Sequence, residues 1–399
     1  MLPLIATSVL ALLATWLGVL LWYARPLVAF WREPVFCRPV LIFESDDWGP
    51  APPDHAEMLA AIAALLREFS DQRGHHPVMT LAVVLAVPEP GGEAALEPRE
   101  LTFADARFGP VKEAIQAGID ASVFQLQLHG RSHYWLPALV DASKADPGVA
   151  SWLDGPDTWH TEALPAELQS RWEPRVGGAP FPISDEAARV AAEQDARLFE
   201  ECFGETATIA VPTRFDWYPA LERGWAAAGV GTVVTPGRYD WPDGRDVGRS
   251  TIKRITNGMR SDHVRYVVRD QYFEPYKGHD ADHGLRALAT NTALARPTLL
   301  EIHRKNFLGP DMRQRSLVVM RELIERALVV YPELRFFSTI ELVDAMEAQS
   351  PDLIDQSLRG RTVAWCARAR TLHRFWKLAR LSGLALVVIG AARLVSHRG

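Results

Sequence analysis

The stretch Val40-Leu-Ile-Phe-Glu-Ser-Asp46-Asp47-Trp-Gly-Pro50 runs from a continuous apolar segment into carboxylates and then into a Gly-Pro turn. A short, unbroken apolar run bounded by a turn is the pattern of a strand buried on both faces. Asp54 follows as an N-cap for a helix that continues to Phe69. Buried strand, turn and helix make one βα unit.

The same alternation repeats along the chain. Val78–Val87, Val123–Leu128, Thr208–Val211, Gly231–Val234, Thr298–Ile302 and Leu334–Phe337 read as further strands. Helices fit Pro110–Ala117, Asp185–Phe203 with Gly204 as its stop, Pro219–Ala228 and Asp311–Val330, with a last one opened by the capping box Ser338 to Glu341. The fold class is therefore α/β, and about seven units fit a closed or nearly closed barrel. Leu136–Ile183 breaks the pattern with Pro, Gly and Trp, and predicts a long insertion loop over one face.

In such a barrel, reactive residues collect where strands end. Asp46 and Asp47 sit at one such end, although neighbours on a regular strand point to opposite faces. Both serve one site only if the backbone turns there, which Gly49 and Pro50 permit. Leu126-Gln-Leu-His129-Gly-Arg-Ser-His133-Tyr-Trp135 places two histidines four residues apart after another strand. That spacing suits one shared cation, but it suits ordinary polar histidines equally well. His279 and His283 have the same spacing in a polar loop with no strand before it, and read as a helix start or a substrate-side loop. Position after a strand discriminates where spacing does not. Three more strand ends carry polar groups: Val211-Pro-Thr-Arg214, Thr235-Pro-Gly-Arg-Tyr-Asp240-Trp241, and Thr298-Leu-Leu-Glu-Ile-His303.

Composition narrows the class. The chain has 399 residues, 48% of them hydrophobic, which is enough for a full core and excludes both a disulfide-stapled miniprotein and a disordered chain. Three scattered cysteines, Cys37, Cys202 and Cys366, cannot build a disulfide framework or a four-cysteine zinc site. Any metal must be held by His and carboxylate. Net charge is −6, yet residues 356–399 carry nine Lys or Arg and no acid, leaving the rest at 34 − 49 = −15.

Both ends read as membrane-seeking. Residues 1–24 contain no charged side chain and are long enough to cross roughly 30 Å of hydrocarbon as an uncleaved transmembrane helix. A catalytic domain over residues 35–347 and a basic amphipathic tail over 356–399 complete the division. The tail's uncharged stretch, Leu381–Ala392, is too short for a span, so a helix lying on anionic lipid from about Arg361 onward is expected, with no nucleic-acid partner. Arg25, Arg32 and Arg38 follow the N-terminal span and no charge precedes it. That asymmetry predicts a body on the cytoplasmic face.

In order, the strand-end motifs resemble the polysaccharide deacetylase family, the NodB-homology domain of carbohydrate esterases. The matching residues are Asp46 and Asp47, His129 with Ser132-His133, Arg214, Asp240-Trp241 and His303, over roughly Pro39 to Met346. The first motif reads Glu-Ser-Asp-Asp-Trp-Gly where Thr-Phe-Asp-Asp-Gly is usual, and Pro212 precedes Arg214 instead of following it, as in a divergent branch. The resemblance implies a distorted (β/α)7-type barrel and a metal-dependent hydrolase that removes an N-acyl group from an amino sugar. An O-acyl esterase or amidase of the same fold and a non-catalytic glycan-binding protein are the alternatives.

The residue chemistry fits that reading. Asp47, His129 and His133 offer two imidazoles and a carboxylate, a set suited to Zn²⁺ or another divalent ion. Asp46 is the expected base, ionised and aimed by Arg214, and His303 the expected acid, oriented by Asp240. Tyr134, Trp135 and Trp241 are the expected substrate-binding residues. A membrane-tethered body favours a glycan or a sugar carried on a lipid as substrate.

Overall fold

A computed structural model describes residues 2–89, 99–242 and 250–397 of the protein. Its centre is one parallel sheet of nine strands, numbered here β1 (Val40–Trp48), β2 (Met79–Val83), β3 (Phe124–Leu128), β4 (Ile209–Ala210), β5 (Thr232–Thr235), β6 (Arg265–Val268), β7 (Gln271–Tyr272), β8 (Thr298–Glu301) and β9 (Arg335–Phe336). Their order is β6-β5-β4-β3-β2-β1-β8-β7, with β9 pairing the start of β1.

The two edge strands, β6 and β7, are consecutive in sequence. Val268 ends one and Gln271 begins the other, so the sheet must curl until its edges nearly meet. The segment around Arg269 is the seam: its N–H donates to Thr235 on β5, while Phe273 N–H just beyond donates to Glu301 on β8. The result is an α/β fold with a curled sheet, as expected for a distorted barrel. The β6–β7 segment itself was absent from the strands read in the sequence.

Side-chain alternation fixes what points inward. Val40 and Ile42 join an inner cluster with Val211, Val234, Val267 and Leu299, closed from below by Leu342 and Met346 of the helix Thr339–Glu347. Leu41 and Phe43 face the outer layer, with Leu59 and Ile62 of Asp54–Leu66 and Met320 and Leu323 of Pro310–Val330. With period two, the inner face of β1 continues through Glu44 and Asp46. The capping box at Ser338 and Glu341 forms as the sequence indicates, and Asp185–Phe203 ends at Gly204 in the left-handed region, φ 75°.

The expected insertion loop is largely structured. It contains helices Leu136–Ser143 and Pro147–Asp154, a two-stranded hairpin and its own small core of Tyr134, Leu139, Val149, Leu164 and Leu168.

The chain ends differ from expectation. Residues Leu2–Trp22 form a helix, α1, and Ala24–Arg32 a second, α2. Among the described residues no single helix is long and apolar enough to cross a membrane, and the segments Ala6–Trp22 and Ala24–Arg32 meet that measure only as a pair bent by 67°. The bend has a local cause: Pro26 lacks an amide for Trp22, four residues earlier, and its ring crowds that carbonyl. The basic tail is three short helices, Leu358–Arg370, His373–Leu381 and Leu384–His397, and not one helix lying free. They pack on α1 and α2 through Leu27, Phe30, Phe375, Ala379, Leu384 and Val388. Arg368, counted among the basic residues for lipid, is fully buried, and its guanidinium donates to the carbonyls of Phe30, Glu33, Pro34, Leu294 and Ala295.

Candidate active site

A cleft of about 440 Å³ opens at the ends of β1 and β8, lined by Asp46, Asp47, His133, Arg269, Glu301 and His303 among others. The backbone of β1 explains how adjacent aspartates reach it together. Ser45 pairs with Leu81 but Trp48 pairs with Val83, so β1 holds one extra residue there, a bulge. Asp47 takes φ 73°, the left-handed region that a non-glycine residue occupies only when its surroundings impose it. The turn is thus made at Asp47 itself, ahead of Gly49 and Pro50. Asp46 keeps the inward direction of the strand and Asp47 is swung beside it.

Three donor atoms converge next to this bulge. Asp47 Oδ1 lies 3.4 Å from His129 Nε2 and 3.2 Å from His133 Nε2, and the two Nε2 atoms are 3.1 Å apart. Each imidazole donates its Nδ1–H to a carbonyl, His129 to Val211 and His133 to Gln169, both at 2.8 Å. A carbonyl only accepts, so both Nε2 atoms present lone pairs to one point. Asp47 Oδ1 is buried and has no hydrogen-bond donor. Converging lone pairs and an orphaned carboxylate oxygen are the arrangement a divalent cation satisfies.

Asp46 faces a different partner from the one expected. Arg269 grips it with two parallel bonds, Nη1 to Oδ1 at 2.8 Å and Nη2 to Oδ2 at 2.6 Å, and also donates to Glu44 Oε2 at 2.9 Å. Its Nε lies 3.1 Å from Glu301 Oε2, and the whole side chain is enclosed. Burial would raise Asp46, yet the Arg269 charge outweighs it and the carboxyl is lowered. Arg214 cannot do this. It sits in a tight turn at φ 56°, half-exposed, its guanidinium donating to the Ala166 carbonyl and 4.0 Å from Asp216.

His303 follows β8, the strand paired with β1. Its Nδ1–H donates to Glu274 Oε1 at 2.5 Å, and its Nε2 lies 3.4 Å from Glu301 Oε1. Glu274 is fully buried and receives a second hydrogen bond from Asn306. Burial works against charge on the imidazole, but the Glu274 bond with Asp47 and Glu301 nearby raises His303 to about 10. Burial also lifts Glu301, to about 7 despite Arg269. Glu274 therefore occupies the role expected of Asp240. The Asp240 and Trp241 side chains lie outside the described residues.

Asp46, Glu301 and His303 form a second cluster with metal-ligand geometry. Arg269 already supplies its cation, bonded to Asp46 and beside Glu301.

Two of the three expected sugar-binding aromatics, Tyr134 and Trp135, are used in packing. Tyr134 is completely buried with its hydroxyl on Glu100, and Trp135 packs on the core beneath Arg171. Trp172 is buried and Trp159 stacks on His160. The exposed aromatic ring at the cleft is Tyr272, with Lys277 over its face. His279 and His283 begin a helix, Ala281–Ala293, capped by Asp280, and His279 accepts the Glu274 amide. One of the two readings of that pair, a helix start, is the one the chain adopts.

Arg269, Glu274 and Glu301 are absent from the sequence reading. Arg265-Tyr-Val-Val-Arg269 carries the same apolar-run-then-polar signal as the other motifs, and Glu301 lies two residues before His303, hence on the same strand face. Glu274 has no comparable signal.

No protein-family model and no curated protein matches the chain. Among solved structures it is similar to a 4-alpha-glucanotransferase from Thermococcus litoralis, at 11% identity and TM-score 0.41 over 77% of this chain and 40% of that enzyme's length. It is also similar to a peptidoglycan deacetylase from Bacillus subtilis, at 11% identity and TM-score 0.36 over 80% of this chain and 94% of the other. A family 4 acetyl xylan esterase from Clostridium thermocellum, solved with a cobalt ion, is similar at 11% identity and TM-score 0.37, over 77% and 92%. Deacetylases and family 4 carbohydrate esterases thus recur among the solved structures that the chain resembles.

Proposed function

We propose that the chain is a metal-dependent hydrolase that removes an N-acyl group, acetyl or formyl, from an amino sugar of a glycan or lipid-linked glycan. The observation that carries this reading is the arrangement around Asp47, His129 and His133. Three cation donors stand beside a carboxylate kept ionised and an imidazole kept protonated.

A divalent cation there, for which two imidazoles and a carboxylate suit Zn²⁺, would supply Lewis acidity toward the acyl carbonyl and lower the pKa of water. The remaining work falls to the chain's own groups. Asp46, aimed by two bonds from Arg269, accepts the proton of the attacking water as its oxygen bonds to the acyl carbon. His303, already protonated and held by Glu274, gives a proton to the nitrogen as the C–N bond breaks, a transfer worth typically ~10²–10⁴ in rate. The products are a free carboxylate and an amine.

The direct test uses the full-length protein in detergent, with its metal content measured and acetate release followed from acetylated chitooligosaccharides. Stoichiometric divalent metal with release of acetate supports the reading. A chain that binds no metal at this cluster overturns it.

A further inference from the structure

A second, larger cavity of about 1240 Å³ opens where α2 meets residues 254–260. Arg25, Arg32, Arg254 and Arg260 line it, interleaved with apolar side chains such as Val28 and Met259, and no carboxylate is among its lining residues. Arg25 and Arg32 are exposed and have no ion-pair partner among the described residues. Burial, together with Arg296 and Arg238, lowers the Arg254 guanidinium, with Glu33 opposing them. Arg260 lies 3.5 Å from Glu347, and the other arginines of the recess suit a phosphate, the anion for which the guanidinium fork is best shaped.

What surrounds the recess is apolar. It begins at Tyr23 and Ala24, at the bend where α1 ends, and α1 exposes Leu10, Leu13, Leu17 and Leu21. Across from them the C-terminal helices expose Leu381 and Leu386. A cationic recess at the root of an exposed apolar helix pair fits a molecule with one anionic group and a long hydrocarbon chain.

A third cavity, about 320 Å³, shares Arg254 and Asn257 with the arginine recess and Tyr272 with the cleft. Its lining includes Gly237, whose φ of 76° and close approach to Val268 leave no room for a side chain. Shared lining residues thus place the third cavity beside both the recess and the cleft, with Glu33 and Asp270 in its own lining.

We propose that the arginine recess binds the phosphate of a lipid-linked glycan, with the hydrocarbon along α1 and the attached sugar reaching the catalytic cleft through the third cavity. The part concerning the sugar rests on the hydrolase reading above, whereas lipid-phosphate binding does not.

The experiment is calorimetric binding of farnesyl phosphate to the full chain in neutral detergent, with farnesol and inorganic phosphate as separate arms. Farnesyl phosphate binds at least tenfold more tightly than either. The double variant Arg25→Ala/Arg32→Ala loses at least tenfold in affinity with its unfolding midpoint unchanged, and Arg25→Lys/Arg32→Lys recovers most of it. Equal binding of farnesol, equal binding of inorganic phosphate, or an unaffected alanine variant each overturns the proposal. In turnover, N-acetylglucosamine on farnesyl phosphate exceeds N-acetylglucosamine 1-phosphate in kcat/KM by more than tenfold, and the alanine variant loses that excess. An equal kcat/KM for the two substrates overturns the route to the cleft. Asp46→Asn, inactive in hydrolysis, still binds farnesyl phosphate like the unsubstituted chain. Tight binding with no hydrolysis of any substrate therefore overturns the hydrolase reading and supports the recess.

Discussion

Arg269 and Asp46 form a bidentate pair, at 2.6 and 2.8 Å, in which neither side chain has appreciable contact with solvent. The pair joins the barrel seam to the bulged first strand. Removing Arg269 leaves Asp46, Glu44 and Glu301 without their shared positive charge. Breaking a buried pair in this way costs about 3–5 kcal/mol, so Arg269→Met should unfold at markedly lower denaturant. Arg269→Lys keeps a charge but not the fork. With less opposition to burial, the Asp46 carboxyl rises, and because the base works only when ionised, the acid limb of kcat/KM should move to higher pH. Arg214→Ala should leave that limb where it is. A shift in Arg214→Ala and none in Arg269→Lys would restore the assignment first made from the sequence.

The two aspartates should separate experimentally. Asp47→Ala removes one of three converging donors, so the purified protein should lose its metal, as should His129→Ala and His133→Ala. Asp46→Asn keeps shape and metal but cannot accept a proton, and its turnover should fall by about 10²–10⁴. Metal analysis beside acetate release decides it. Equal metal loss in both variants would merge the two roles.

Glu274 should set the alkaline limit. It is a main reason His303 is raised to about 10, so the protonated imidazole persists through neutral pH and is lost only as pH rises through that value. Glu274→Gln removes the charge and should bring the alkaline limb of kcat down. His303→Ala should impair amide substrates far more than activated aryl esters, whose leaving groups depart without a proton. Equal loss on both would make His303 a positioning residue.

Sidedness has a convenient reporter. Cys37 is exposed while Cys202 and Cys366 are buried, so a membrane-impermeant maleimide on intact cells reads essentially one site. With the body on the cytoplasmic face, as the charges around α1 predict, Cys37 should label only after lysis. Labelling without lysis would put the body on the other side.

The strands were legible in the sequence because buried parallel strands are continuous apolar runs, and their ends led directly to Asp46, Asp47, His129, His133 and His303. What was not legible came from closure of the sheet. Arg269 meets Asp46 from 223 residues away, a pairing produced by the seam. Glu274 lies in an irregular segment just past β7, where neither helical nor strand periodicity marks a residue. Tyr134 shows why aromatics are ambiguous in a sequence: a ring suited to stacking on a sugar is equally suited to filling a small core, and burial distinguishes the two. At the ends, hydropathy registered the apolar length of α1 but not the bend at Pro26 or the tail that returns to meet it.

That return has a consequence for biosynthesis. Helices α1 and α2 are made before the helices that cover Leu27 and Phe30, by roughly 330 residues. At ~5–20 residues per second this is about 16–66 s. Throughout that interval α1 and α2 lack the helices that bury Leu27, and Phe30 has only Arg254 and Arg296 to pack against once they are made. A nascent chain built this way depends on a lipid surface or a chaperone at its exit from the ribosome, long before there is an active site to deliver.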